Sequence, residues 1–150
     1  MSESPVQTAA RFFAPIFSAR LDLVEAIADD ARCAEAGAVL KPGAPIRFIT
    51  SDGGQIGGMA GGFTGMDGFR EGWREWLEPY EEFHMVLEES LEAGPGTALT
   101  LVRTTARPRG ARVAVEQEAA ALITVEGELV AAIDHYLNHD QARRAAGLAS

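Results

Sequence analysis

Apolar positions recur along this chain at helical spacing before Pro79 and at every second residue after it, and that change sets the expected architecture. Ser4 and Pro5 make a helix start, a capping hydroxyl followed by proline at the first helical position. Val6, Ala9, Ala10, Phe13 and Phe17 then form one apolar stripe, which Pro15 should end one turn early. A second stripe, Leu21, Val24, Ala28 and Ala31, predicts a second helix closed near Gly37. "KPGAP" reads as a loop and "IRFIT" as a short strand. "SDGGQIGGMAGG" is too glycine-dense for a regular element. Thr64 and Asp67 have the spacing of a capping box. The helix they introduce carries Phe69, Trp73, Trp76, Leu77 and Tyr80 on one wide apolar face and ends at Pro79.

Beyond Pro79 the alternation predicts an antiparallel meander of four long strands. The first places Phe83, Met85, Leu87 and Leu91 on one face. The second places Leu99, Leu101, Arg103 and Thr105 together. The third does so for Val113, Val115, Gln117, Ala119, Ala121, Ile123 and Val125, and "LVAAIDHYL" is the last. "AGPG", "PRGA" and Glu126-Gly127 are the turns, and "NHDQARRAAGL" reads as a short terminal helix capped near Asn138. The expected fold is α+β: a curved antiparallel sheet packed against three N-terminal and central helices, with a short C-terminal helix.

Bulk properties narrow the partners. The 150 residues suggest one domain, 1–150, large enough to bury a core without covalent staples. A formal net charge of −9 disfavours nucleic acid and anionic membrane, both of which need a positive field. Cys33 is the single cysteine, so neither an internal disulfide nor a multi-cysteine zinc site is expected. With a polar, acidic Met1 to Val6 in place of a leader, this points to the cytoplasm. The glycine-dense segment lacks the lysine and hydroxyl ending of a phosphate loop. His135, His139 and Asp140 are close in sequence, but a strand-to-helix change separates them, so no metal and no cofactor is expected.

"FTGMDGFREGWREWLEPYEEF" and "LITVEGELVAAIDHYLNHDQA" resemble the SnoaL-like polyketide-cyclase group of the nuclear-transport-factor-2-like superfamily. Residues Gly65 to Trp73 match that group's helix pattern Gly-x-x-Gly-[Ile/Phe]-Arg-Glu-x-[Trp/Phe], and the resemblance runs from about Ile46 to Leu148. Asn138 stands where the group usually has aspartate. Gly127 sits one place early, which raises the question of a bulge or a shifted hairpin. The resemblance implies a cone-shaped fold with a pocket between the concave sheet and the helices, and a homodimer through the outer sheet face. It leaves the reaction open, because such folds host many activities.

Alternation then nominates the pocket side chains. Ile133, His135 and Leu137 share a face, so His135 is expected inside and Asp134 outside. Arg103 and Thr105, on the leucine face of their strand, are expected inside as well. By resemblance to the epoxide-hydrolase members, Arg103-Thr104-Thr105 and His135-Tyr136 keep the arginine, but Thr and His replace both carboxylates. Gln117, Ala119 and Ala121 occupy the strand where ketosteroid isomerases carry an acid. Both chemistries are therefore disfavoured. Two readings stand. One is a cofactor-free, cyclase- or isomerase-like enzyme with His135 as acid/base and Arg103 as electrostatic anchor. The other is a non-catalytic dimeric module that binds or sequesters its ligand. In either case Thr105, Gln117, Ile133 and Trp73 are expected to contact a small apolar or carboxylate-bearing molecule.

Overall fold

A computed structural model of the chain describes residues 4–17, 20–49 and 63–148. The glycine-dense segment lies outside them, so its expected irregularity is not addressed. The elements run α1 (Pro5–Phe13), α2 (Leu23–Ala28), α3 (Asp30–Gly37), β1 (Pro45–Ile49), β2 (Phe63–Thr64), α4 (Gly65–Leu77), β3 (Tyr80–Glu92), β4 (Thr97–Pro108), β5 (Val115–Glu126), β6 (Leu129–Tyr136) and α5 (His139–Ala145). Ser4 caps α1 in a full capping box with Gln7, and the helix ends at Phe13, just before Pro15. The second apolar stripe is split in two. Asp29 leaves helical geometry and its carboxylate accepts from the Arg32 N–H, so it starts α3 where one continuous helix was expected. Thr64 sits at the N-cap of α4 but makes no side-chain capping bond, so the capping box anticipated there does not form.

The six strands form one curved, unclosed sheet in the order β2-β1-β6-β5-β4-β3. The four-stranded meander β3 to β6 is antiparallel, as its short turns require. β1 joins parallel to β6, which makes the sheet mixed. Register breaks occur twice where they matter. One lies between Leu87 and Glu89 in β3, and it moves Leu91 off the face of Phe83 and Met85. The other lies on the β5–β6 hairpin, where Thr124 faces Ala132 but Val125 faces Val130. The extra residue, Ala131, puts Val130 and Ile133 into the same core despite their odd spacing. The turn behind it uses Gly127 in a left-handed conformation, φ 64°.

Both faces of the sheet are covered. Ala98, Val102, Ala121, Ile123 and Ile133 pack with α1 and α4 in the main core. Leu99, Leu101, Ala120 and Tyr136 pack with Ala142 of α5 in a second cluster on the other side. Asn138 caps α5 by accepting from the Gln141 N–H. His139 fastens that helix down: its Nε2 lies 2.8 Å from the Val102 carbonyl and 3.1 Å from that of Ala119. Among the described residues no helix is long and apolar enough to cross a membrane.

Candidate functional site

His135 sits near the end of β6 between two strands that fix its position. It is in register with Phe48 of β1 on one side and with Ala121 of β5 on the other. Its ring stacks on Phe48 with centroids 4.3 Å apart and planes 10° from parallel. Trp73 of α4 stands perpendicular to it at 5.1 Å. Nδ1 lies 3.0 Å from the Arg47 carbonyl oxygen. A carbonyl only accepts, so Nδ1 carries the proton and Nε2 keeps a lone pair. Nε2 is buried and has no partner among the described residues. Burial lowers the pKa from the ordinary 6.5 to about 4, against a smaller opposing effect of the Arg47 bond. The imidazole is therefore neutral at physiological pH, with Nε2 unprotonated.

Asp134, one residue earlier, faces the other way. The guanidinium of Arg47, its neighbour across the parallel ladder, donates from Nε and Nη2 to the two carboxylate oxygens, both at 2.6 Å. This bidentate pair satisfies the acid on the outer side of the sheet. Period-two geometry thus puts Ile133 and His135 on one face and Asp134 and Tyr136 on the other, where Tyr136 packs into the second cluster.

His135 and Trp73 line a cavity of about 330 Å³ between α1, α4 and the concave side of β3 to β6, open to solvent near Val86 and Leu87. Phe13 and Phe17 close it from the α1 side, and Trp76 and Met85 from α4 and β3. Ala119 and Ala121 form part of its floor, and their short side chains leave the space open. Among the described residues, Ser90 and Thr100 add hydroxyl-bearing side chains to the lining. No Asp, Glu, Lys or Arg of the described residues lines it. Trp73 Nε1 is also buried and has no acceptor among the described residues.

The other nominated residues lie elsewhere. Arg103 is not in the cavity: it is half-exposed and pairs with Glu88 at 3.5 Å. Thr105 shares its face. The reason is that β4 is buried on both sides. The leucine face that carries Arg103 packs under α5, whereas the cavity takes Thr100 and Val102 from the alternate face. Gln117 has the parity of Ala119 and Ala121 but lies beyond the cavity and is exposed. Ile133 is fully buried in the core without reaching the cavity wall. Of the six nominated residues, His135 and Trp73 are brought together. His84 is half-buried, and its Nδ1 has no partner among the described residues. No group of three His, Cys, Asp or Glu among the described residues could hold a metal ion.

Phe48, Trp76, Thr100 and the two floor alanines were not singled out as site residues. The signal for the alanines was present: "EAAAL" places small residues where a strand facing helices would ordinarily carry Val or Ile.

Neither family models nor curated proteins match the sequence. Solved structures do match its fold. An NTF2-like protein from Burkholderia thailandensis is 15% identical over 97% of each chain, with a TM-score of 0.64. A protein from Jannaschia sp. assigned as a SnoaL-like polyketide cyclase is 16% identical over 100% of this chain and 99% of its own, with a TM-score of 0.61. TerC, co-crystallised with polyporic acid, is 8% identical over 96% of this chain and 99% of its own, with a TM-score of 0.61. At these identities the likeness defines architecture, and the chain has the cone-shaped fold of the nuclear-transport-factor-2-like superfamily, the fold that its SnoaL-like polyketide-cyclase group also uses.

Proposed function

We propose that this chain is a small-molecule pocket protein that holds a largely apolar ligand against the aromatic wall of the cavity that His135 and Trp73 line. The observation that carries this reading is a predominantly apolar cavity of about 330 Å³ lined by Phe13, Phe17, Trp73 and Trp76, with a neutral histidine among its lining residues. That volume is at the small end of ligand pockets, and a few polar groups in an apolar lining are the usual division of labour between orientation and affinity. TerC, a fold neighbour, was crystallised with polyporic acid, which supports a small-molecule role for this architecture.

Binding is favoured over acid–base turnover by two features. A conjugate acid with a pKa of about 4 makes Nε2 a weak base, whereas general bases working near neutrality are tuned closer to 7. The electrostatic anchor proposed for an enzyme, Arg103, is on the other side of the sheet. For the same reason a carboxylate-bearing ligand finds no matching cation among the described residues of the wall. Ligand-observed NMR with indole tests the reading. Ala119→Phe, which places a ring in the cavity, is expected to abolish indole binding while the fold persists. Undiminished binding in that variant would locate the ligand elsewhere.

A further inference from the structure

Among the described residues the buried polar ones are Thr8, Thr100, Thr104 and His135. The Thr104 hydroxyl donates to the Gln117 carbonyl, His135 Nδ1 meets the Arg47 carbonyl, and Thr8 is engaged as well. Thr100 differs. Its hydroxyl makes no hydrogen bond among the described residues, yet it is not one of the unpartnered atoms sealed from solvent, so it keeps accessible surface. The residue is 8% exposed and lines the cavity, so that surface is cavity surface. An unbonded hydroxyl gives the fold nothing that a valine of the same shape would not. Strand pairing extends the polar stretch. Ser90, Thr100, Ala121 and His135 are in register across β3, β4, β5 and β6, and all four line the cavity. Ser90 is exposed and its hydroxyl is also unbonded among the described residues. It stands directly opposite Thr100, and side chains so placed lie about 4.5–5.5 Å apart at Cβ. Ala121, on the other side of Thr100, is too short to cover the hydroxyl. His135 Nε2 is sealed off, so the hydroxyl pair, and not the imidazole, is what a molecule in the cavity reaches.

We infer that Ser90 and Thr100 form the polar subsite of the cavity, and that it takes an uncharged oxygen, alcohol or carbonyl, of an otherwise apolar ligand. A hydroxyl both donates and accepts, so the pair serves either kind of oxygen. An ion is rejected, because no charged side chain among the described lining residues offsets its desolvation. The oxygen lies toward the mouth, where Ser90, Val86 and Leu87 are exposed, and the apolar body lies against the aromatic residues of α1 and α4. This assignment rests on the proposed binding role and adds to it the class of ligand and the residues that choose it.

Three bicyclic probes test it by NMR titration at neutral pH, with Ala119→Phe as the control that fills the cavity. Naphthalene has no oxygen, 2-naphthol one neutral oxygen, and 2-naphthoate a charge. In the wild-type chain 2-naphthol is expected to bind roughly fivefold more tightly than naphthalene, the value of one net hydrogen bond, and 2-naphthoate more weakly than 2-naphthol. Thr100→Val combined with Ser90→Ala should bring 2-naphthol down to the level of naphthalene. Ser90→Ala alone, at an exposed position, should narrow the difference and serves if the double variant fails to fold. Thr100→Val alone should unfold at the same urea concentration as the wild type or a higher one, because its hydroxyl has no partner to lose. A marked loss of stability would show that the hydroxyl serves the fold and would overturn the subsite. Equal wild-type affinity for 2-naphthol and naphthalene, or a 2-naphthol advantage that survives in the double variant, would also overturn it and leave the apolar pocket standing. Binding of none of the probes, or naphthalene binding undiminished by Ala119→Phe, would overturn the binding role itself.

Discussion

Acidification should destabilise the fold through His135 by an amount that the burial of its ring sets. In the folded chain the group titrates at about 4, and in the unfolded chain near the ordinary 6.5. Between those values the unfolded state binds more protons, so stability is complete above about 6.5 and falls as pH drops toward 4. The difference corresponds to about 3 kcal/mol in all, of which about 2 kcal/mol is lost by pH ~5. Carboxylates also titrate in this range, so a control is needed. His135→Phe supplies it, keeping a flat ring against Phe48 while removing the titrating nitrogen. Urea unfolding followed by the fluorescence of the chain's two tryptophans gives the stability of both proteins at several pH values. The wild-type-minus-variant difference should be level above neutrality and shrink by about 2 kcal/mol at pH ~5. A difference that stays flat over that interval would mean that the imidazole titrates normally, and hence is hydrated and not enclosed.

Other substitutions probe the surroundings. Gly72→Ala should destabilise by about 1–2 kcal/mol, because overpacking costs more than the helix gains from alanine. A Cβ there overlaps the Phe48 ring edge and comes within 3.2 Å of Phe63 Cδ2, and Phe48 cannot retreat from His135; urea unfolding showing a more stable variant would contradict this packing. Trp73→Ala, at a site 2% exposed, should cost about 3–5 kcal/mol, with a smaller loss for the half-buried Trp76→Ala by the same measurement. Asp134→Asn weakens a partly exposed ion pair and should cost about 1 kcal/mol or less while leaving probe binding intact by NMR titration. A homodimer through the outer sheet face, implied by the family resemblance, predicts sedimentation at twice the monomer mass at micromolar concentration.

The helix of Phe69 to Leu77 and the meander after Pro79 were legible because their periods are long and uninterrupted. The α2–α3 break was less so, since the apolar stripe runs on while a single aspartate caps the second helix. The site was half legible. His135 lies two residues from Ile133 on a strand with one charged face, so alternation alone turns it inward. The same logic misplaced Arg103. A cavity needs small or polar residues in its wall, so the Thr100–Val102 face looks more like a solvent face than does the Leu99–Leu101 face beneath α5. Which side of a doubly covered strand meets a ligand is decided by where the terminal helix docks, and alternation carries no information about that.

The tautomer and charge of His135 test the pocket most directly. Nitrogen NMR of the imidazole reports both across a pH series. A neutral ring protonated at Nδ1 is expected, remaining neutral down to about pH 4. A ring that is charged near its ordinary pKa, or protonated at Nε2, would contradict the enclosure of a neutral imidazole beside the cavity.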